Sequence, residues 1–214
     1  MKMLDPAGVA GIPGLIRCET HDRNALGEEI TELTHSVYPH DAVYGQYCTI
    51  HRHVACPPAD VYAYLADPLA LMEWTYSVRA LRETEHAGLL VGVDSQTTPI
   101  YVRTVACRDA MTVDYHCAWD QGRKLWMIYL MRVIPAELVL DRPGSVVVWT
   151  NCHHPYYDKN PFPELNRDPK RDWVGDWWPL FYAGHSIELA NLAAILEHRQ
   201  RLGLPLAARL VEQP

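Results

Sequence analysis

The chain contains little phenylalanine, and none of its apolar runs is long enough to cross a membrane. Its 214 residues include two Phe, against seven Trp and 12 Tyr. Apolar runs such as Ile128–Met131 are far shorter than the ~20 residues that a membrane-spanning helix requires. Because 49% of the residues are hydrophobic, bulk disorder is excluded and a folded domain with a substantial core is expected.

Concentrated positive charge is also missing. The chain has 19 Lys and Arg against 26 Asp and Glu, which gives a net charge of −7. Its densest cationic stretch, Arg167–Arg171, is interrupted by Asp168 and Pro169. Proteins that bind phosphate backbones cluster their Lys and Arg residues, so nucleic acid is not an expected partner.

Several motifs of common enzyme classes are absent. Neither GxGxxG nor GxxxxGK[ST] occurs, so no nucleotide cofactor is expected, and the lack of GxSxG disfavours a serine hydrolase of the usual type. The six Cys residues form no CxxC pair, which favours reduced side chains. Met1–Pro6 lacks the apolar core of a secretory signal, so we expect a cytoplasmic protein. The oligomeric state is open, and a homodimer remains one alternative.

The first 45 residues differ from the rest of the chain. Glycine and proline interrupt their opening, and Asn24–Val37 can form one short helix, so we expect residues 1–45 to form an N-terminal arm. Residues 46–214 are expected to form one domain. That domain begins with an extended segment, Tyr47–Cys56, which Pro57 and Pro58 terminate, and two short helices follow it.

The middle of the chain has the pattern of consecutive strands joined by short turns. Such connections predict antiparallel hairpins. The predicted strands are Tyr76–Glu83, Leu89–Asp94, Pro99–Cys107, Met111–Trp119, Lys124–Leu140 with a bend at Pro135, and Ser145–His154. Turn residues separate them, including Asp120–Gly122 and Asp141–Gly144.

A polar, proline-rich loop and a long helix complete the chain. The loop is Pro155–Val174, and the helix is predicted over Trp178–Leu202, where Gly203 and Pro205 stop it. A curved sheet cannot cover its own concave face, so this helix should lie across it. The fold class is therefore α+β, with a curved seven-stranded antiparallel sheet around a long C-terminal helix, which encloses a cavity.

The motif that carries a family resemblance lies after the first strand. Ala55–Pro68, with Glu73 and Trp74 following, resembles the "strand, A-P-x-x-x-V-[WFY], D, then a tryptophan" opening of the START-like (SRPBCC, helix-grip) superfamily. Asn191–Glu197 is similar to the closing helix of that superfamily, so the resemblance covers residues 46–202. The superfamily contains plant pathogenesis-related proteins, lipid-transfer START domains and bacterial polyketide cyclase/aromatases.

The resemblance implies a deep, largely apolar cavity for a hydrophobic or polyaromatic molecule. In the cyclase/aromatase branch, an arginine with hydroxyl and imidazole groups on the cavity wall promotes aldol ring closure and dehydration. Arg103 is the best candidate for that arginine, and a gapless alignment of the neighbouring turn gives Ala106 instead. The alternative is that Arg103 faces outward and pairs with an acidic residue.

Histidine is abundant, with 11 residues, and two groups lie on strands that should be neighbours. His51 and His53 share one face of the first strand, and His153 and His154 end the last strand. Three interpretations are open. The first is acid/base chemistry at the cavity rim with His185 nearby, and the second is a metal site in which His51 and His53 are ligands and His153 or Asp158 adds a third. The third is that these are ordinary strand residues.

Alternation along the strands selects the side chains that should line the cavity. Tyr115 lies on the less polar face of its strand, which we take as the inner face. The candidate catalytic residues are His53, Arg103, Tyr115, Tyr129, His153 and His185. The candidate substrate-binding residues are His51, Trp74, Tyr101, Met127, Trp149, Asn151 and Trp178.

These residues favour an enzyme that needs no cofactor and acts on an aromatic, polyketide-like molecule. His53 or His153 would remove a proton, and Arg103 with a tyrosine would polarise the carbonyl before water is lost. The alternative is a non-catalytic carrier of a hydrophobic ligand. A cavity lined by apolar side chains alone would favour the carrier, whereas converging polar groups would favour the enzyme.

We predict that the chain binds no structural metal, although His51, His53 and His153 are present. Elemental analysis of chelator-free protein should therefore find no stoichiometric metal. About one zinc ion per chain would contradict this prediction and would make these histidines metal ligands.

Overall fold

The computed structural model describes residues 6–22, 25–30, 32, 46–119, 124–165 and 173–206. In this part of the chain, seven strands form a single antiparallel sheet, and a 21-residue helix lies against it. The predicted α+β class and strand count are confirmed. We call this helix, Phe181–Arg201, the closing helix.

The sheet has the order β1-β7-β6-β5-β4-β3-β2, so the first and last strands are neighbours as predicted. Consecutive strands from β2 to β7 pair directly because short connections join them. The strands are β1 Tyr47–Val54, β2 Arg79–Glu83, β3 Leu89–Val93, β4 Pro99–Cys107, β5 Thr112–Trp119, β6 Met127–Pro135 and β7 Ser145–Cys152.

Two helices follow β1, as the proline and aspartate signals predict. β1 ends at Val54, and the helix Pro58–Ala66 begins directly after Pro57, whose backbone is extended. A short 3₁₀ helix, Pro68–Ala70, then leads into Leu71–Trp74. The Asp67 carboxylate caps the 3₁₀ helix by accepting the Leu69 backbone N–H at 3.0 Å.

The structure corrects the predicted end of the sixth strand. The pattern over 124–140 predicts one bent strand, whereas β6 ends at Pro135 and a short helix, Glu137–Leu140, follows. Proline has no N–H to donate to a sheet ladder, which explains the end. Residues 25–30 and 32 are helical within the predicted helix of the arm. The rest of that helix, the Asp120–Gly122 turn and the cationic stretch 167–171 lie outside the described residues.

The closing helix is held over the sheet by a buried ion pair. Arg199 Nη2 donates to both carboxylate oxygens of Glu73, at 2.7 and 2.9 Å, and the two side chains are 2% and 1% exposed. The Tyr64 hydroxyl donates to the same carboxylate at 2.7 Å. This triad connects the last turn of the helix to the two helices after β1.

The N-terminal segment packs against the same helix. Asn191 accepts the Ile16 N–H at 3.1 Å and donates to the Ile16 carbonyl at 2.8 Å. Arg17 is 3% exposed and donates to the backbone carbonyls of Met72 and Glu73. The described part of the predicted arm is therefore packed into the body of the fold.

Among the described residues, no helix is long and apolar enough to cross a membrane.

We predict that Arg199→Met will lower the free energy of unfolding by about 3–5 kcal/mol, because it leaves the Glu73 carboxylate buried without its cation. Chemical denaturation measures this change. Arg201→Met is the matched control, since Arg201 lies in the same last turn of the closing helix but is exposed. This control substitution should lower the free energy of unfolding by less than about 0.5 kcal/mol. Adding Glu73→Gln to Arg199→Met should recover part of the loss. Equal stabilities of the two single variants would contradict the prediction.

Candidate functional site

One row of side chains crosses the inner face of the sheet, which faces the closing helix. Tyr115 pairs with Tyr129, Tyr129 with Asn151, and Asn151 with Cys48. Because these positions are directly opposite one another, their side chains emerge on the same face. Two phenols and one amide are thereby placed beneath the closing helix.

An inner chamber lies between this row and the helix. Its volume is about 140 Å³, and most of its wall is apolar or aromatic. It is lined by Leu71, Trp74, Thr75, Ser77, Val78, Ile100, Val102, Tyr115, Cys117, Trp119, Met127, Tyr129, Trp149, Val174, Phe181, His185 and Glu188. Six predicted site residues are in this list: Trp74, Tyr115, Met127, Tyr129, Trp149 and His185.

An outer chamber of about 160 Å³ adjoins it. The N-terminal segment and the closing helix form most of its wall. It is lined by Leu26, Gly27, Ile30, Tyr76, Ser77, Trp119, Trp177, Leu180, Phe181, Gly184, His185, Ile187 and Glu188.

His185 lies in an aromatic setting within the first turns of the closing helix. Its ring stacks on Trp149 with centroids 4.2 Å apart, and it meets the Tyr129 ring edge-on at 5.6 Å. Asn151 Nδ2 lies 3.5 Å from His185 Nδ1. Burial lowers the pKa of His185 from 6.5 to about 3, so the imidazole is neutral at physiological pH. A neutral imidazole can donate one hydrogen bond and accept another.

Glu188 lies on the same face of the helix, one turn after His185, and lines both chambers. Its carboxylate accepts the Tyr76 backbone N–H at 2.7 Å. Burial raises the pKa of Glu188 from 4.5 to about 7, although this hydrogen bond and the charge of Arg79 act in the opposite direction. Near neutral pH the group therefore exists in both protonation states.

The two tyrosines remain protonated phenols. Burial holds the pKa of Tyr115 and of Tyr129 well above the usual 10. The Tyr115 hydroxyl already donates to the Leu65 carbonyl at 2.5 Å, so its proton is engaged within the fold. The Tyr129 hydroxyl lies within hydrogen-bonding reach of the Tyr157 hydroxyl, so a ligand oxygen would compete with Tyr157 for its proton, whereas Tyr115 supports the chamber wall.

The structure corrects the predicted orientation of Arg103. The inner face of β4 carries Ile100 and Val102, which are 3% and 1% exposed, whereas Arg103 is exposed on the opposite face. Tyr101 shares that outer face. The error follows from the strand phase, because β4 and β5 are paired so that Arg103 lies opposite His116 rather than Tyr115. Burying a lone cation would also have been costly.

The structure also separates the predicted histidine cluster. His51 is exposed on the outer face of β1, and His53 Nε2 lies 3.0 Å from the Pro143 carbonyl oxygen. His153 Nε2 lies 3.2 Å from Asp158 Oδ1, and the imidazole ring packs against the ring of Trp178. Within the described part of the chain, neither chamber is lined by the predicted site residues His51, His53, His153 or Trp178.

No group of three or more His, Cys, Asp or Glu side chains that could hold a metal ion occurs among the described residues. The absence of a structural metal stays a prediction for elemental analysis.

Glu188 lines both chambers but is not among the site residues predicted from the sequence. The helical pattern over 178–202 predicts one buried face, and a buried face is normally assigned to apolar residues and not to a carboxyl. A signal was nevertheless present, since Glu188 follows His185 by three positions on the helix expected to cover the cavity. A carboxyl three residues after His185 lies on the same face of the helix, so it is expected to be buried against the sheet whenever His185 is.

Comparison with known proteins gives likeness in structure alone. No protein-family model matches the chain, and no curated protein matches it. The solved structures it resembles include XoxI from Bacillus cereus, with 13% identity, a TM-score of 0.49, and 73% of this chain and 99% of that chain covered. Protein CV1439 from Chromobacterium violaceum has 18% identity, a TM-score of 0.47, and coverages of 72% and 99%. DynU16, from the dynemicin biosynthetic locus, has 10% identity, a TM-score of 0.47, and coverages of 76% and 50%.

The raised pKa of Glu188 predicts a specific pH dependence of stability. Because the fold favours the protonated carboxyl, its contribution is fully present below about pH 4.5 and is lost as pH rises through about 7. Glu188→Gln, which stays neutral, should therefore gain stability relative to the parent protein across this window. Urea denaturation at several pH values measures the difference. The exposed control Glu137→Gln should show no such trend, and a flat difference for Glu188→Gln would contradict the prediction.

Proposed function

We propose that the protein is a cofactor-independent enzyme that binds a hydrophobic, polyketide-like aromatic molecule in this cavity and promotes cyclisation and dehydration by acid/base chemistry. The observation that carries the proposal is the position of Glu188 and His185. Both residues belong to the closing helix and line one otherwise mainly apolar cavity, which the Tyr129 phenol also lines. A simple carrier needs no titratable carboxyl at this position, where burial makes the charged form costly.

Each polar group has a role that fits its protonation state. A general acid/base works best when its pKa is close to the working pH, and the pKa of Glu188 is about 7. The pKa of His185, about 3, makes it a weak base, so it acts as a neutral hydrogen-bond donor. Tyr129 supplies a second donor. These two groups replace Arg103 as the polarising groups of the reaction.

The dehydration step uses a β-hydroxyketone. The Glu188 carboxylate removes the proton from the carbon next to the carbonyl, and the electron pair moves onto the carbonyl oxygen to form an enolate. His185 and Tyr129 stabilise this developing negative charge. The enolate electrons then return to form the carbon–carbon double bond, the carbon–oxygen bond of the β-hydroxyl breaks, and Glu188 returns the proton so that water leaves. Tautomerisation completes an aromatic ring.

The positions of Trp149 and Phe181 support this chemistry by restricting the ligand. Trp149 stacks on one side of His185, and the Phe181 ring lies 4.9 Å from it. Such walls hold a flat substrate in one orientation. Positioning of a reactive group can by itself contribute several kcal/mol to rate acceleration.

The test uses a β-hydroxytetralone, which becomes a naphthol when it loses water. The protein should accelerate naphthol formation, followed by fluorescence, and the rate should rise with pH through about 7 as the Glu188 base ionises. Glu188→Gln should lower turnover by about 10²–10⁴-fold. Glu137→Gln, on an exposed short helix, should retain the parent rate.

Two results would contradict the proposed function. The first is the absence of any acceleration over buffer while the probe binds, which is the behaviour of a carrier. The second is an unchanged turnover for Glu188→Gln, which would remove the group on which the mechanism depends.

A further inference from the structure

The inner and outer chambers meet at the proposed catalytic pair. The residues that line both chambers are Ser77, Trp119, Phe181, His185 and Glu188. His185 and Glu188 therefore lie on the boundary between the two chambers. A ligand that occupies both compartments would present the middle of its length to these two side chains.

The chamber sizes limit what each can hold. Their volumes are about 140 and 160 Å³. An engineered cavity of about 150 Å³ in another protein binds benzene, so each chamber is suited to roughly one aromatic ring. A molecule with a single ring would fill one chamber and leave the other empty. A fused molecule with more rings would bury its surface in both.

Besides the Glu188 carboxyl, the inner chamber is lined by residues that carry hydrogen-bond donors. Trp74 and Trp149 are 1% and 4% exposed, and their indole Nε1 atoms have no hydrogen-bond partner among the described residues. A buried indole N–H normally has a partner, and both atoms are closed off from the chamber space here, so a ligand oxygen would reach them only after the indole rings shift. Tyr129 and His185 add two further donors to the same wall.

The charge of the lining selects against anions. Among the described residues, neither chamber is lined by Lys or Arg. Arg79, whose charge acts on Glu188, is already paired with Glu19, so a carboxylate or phosphate buried there would have no lining cation of its own. It would also be repelled by the ionised form of Glu188. The lining thus suits carbonyl and phenol oxygens on a neutral molecule.

We infer that the ligand is a neutral, flat, carbonyl-bearing molecule of more than one fused ring, which spans both chambers with its reacting carbon at their junction. The inference deepens the proposed function, on which the identification of the reacting carbon rests. It also assigns Leu26, Gly27 and Ile30, from the N-terminal segment, to the part of the site that selects ligand length.

Gly184 offers a way to close the outer chamber alone. It lines that chamber, and a Cβ built at this position meets no atom within 4 Å. Its backbone is helical, so a larger side chain can extend into open space without backbone strain. Gly184→Leu should therefore fill the outer chamber, and Gly184→Ala is the matched control that changes the helix with little loss of volume.

The experiment measures calorimetric binding of phenol, a hydroxyanthraquinone and the corresponding anthraquinone carboxylate. Hydroxyanthraquinone should bind the parent protein, and Gly184→Leu should weaken it by about tenfold or more, while phenol affinity changes less than about twofold. Gly184→Ala should retain most of the hydroxyanthraquinone affinity. The carboxylate should bind the parent protein about tenfold more weakly than hydroxyanthraquinone.

Unchanged hydroxyanthraquinone affinity in Gly184→Leu would overturn the inference, as would an equal loss of phenol affinity. Equal or tighter binding of the carboxylate, or no binding of hydroxyanthraquinone to the parent protein, would overturn it as well. These results are separable from failure of the proposed function, because that function is tested by turnover of the β-hydroxytetralone, which contains two fused rings, in Glu188→Gln.

Discussion

The position of the closing helix determines every other feature of the site, and the Glu73–Arg199 ion pair fixes that position. Arg199 lies in the last turns of the helix, and both of its contacts to the Glu73 carboxylate are shorter than 3.0 Å. Asn191 secures the middle of the helix through two hydrogen bonds to Ile16. With these contacts in place, the N-terminal half of the helix can carry His185 and Glu188 over the sheet without itself contributing many stabilising polar contacts.

The ionisable groups of the Glu73–Arg199 ion pair, which we call the anchor, and the Glu188 carboxyl in the cavity are buried at different energetic cost. Ionisable groups buried without a partner are costly, and the anchor residues meet this cost with short hydrogen bonds. Glu188 meets it differently: its pKa rises to about 7, so that the carboxyl is partly protonated at neutral pH. The same burial that weakens the fold at higher pH gives the group a pKa suited to acid/base chemistry.

Much of the fold follows from local sequence signals, whereas the site depends on strand phase. Pro57, Pro58 and the Asp67–Pro68 pair mark the two helices after β1, and alternation correctly places Tyr115 and Tyr129 on the same face. Alternation alone cannot say which face of β4 is buried, because each face carries two hydrophobic residues: Ile100 and Val102 on one, Tyr101 and Val105 on the other. The cross-strand register opposite β5 decides it, and this register is a tertiary property. Glu188 was missed because a carboxyl on a helix is usually solvated, and its burial depends on the sheet it covers.

The central claim is that one neutral, flat molecule occupies both chambers at Glu188 and His185. A crystal structure of the protein with bound hydroxyanthraquinone tests it most directly. The account predicts that the ring system crosses the junction beside Phe181, with a ligand oxygen within hydrogen-bonding distance of His185, Tyr129 or an indole Nε1. Density for the ligand on the outer face of the sheet, or in the separate depression lined by Leu81 and Leu89, with both chambers empty, would contradict it.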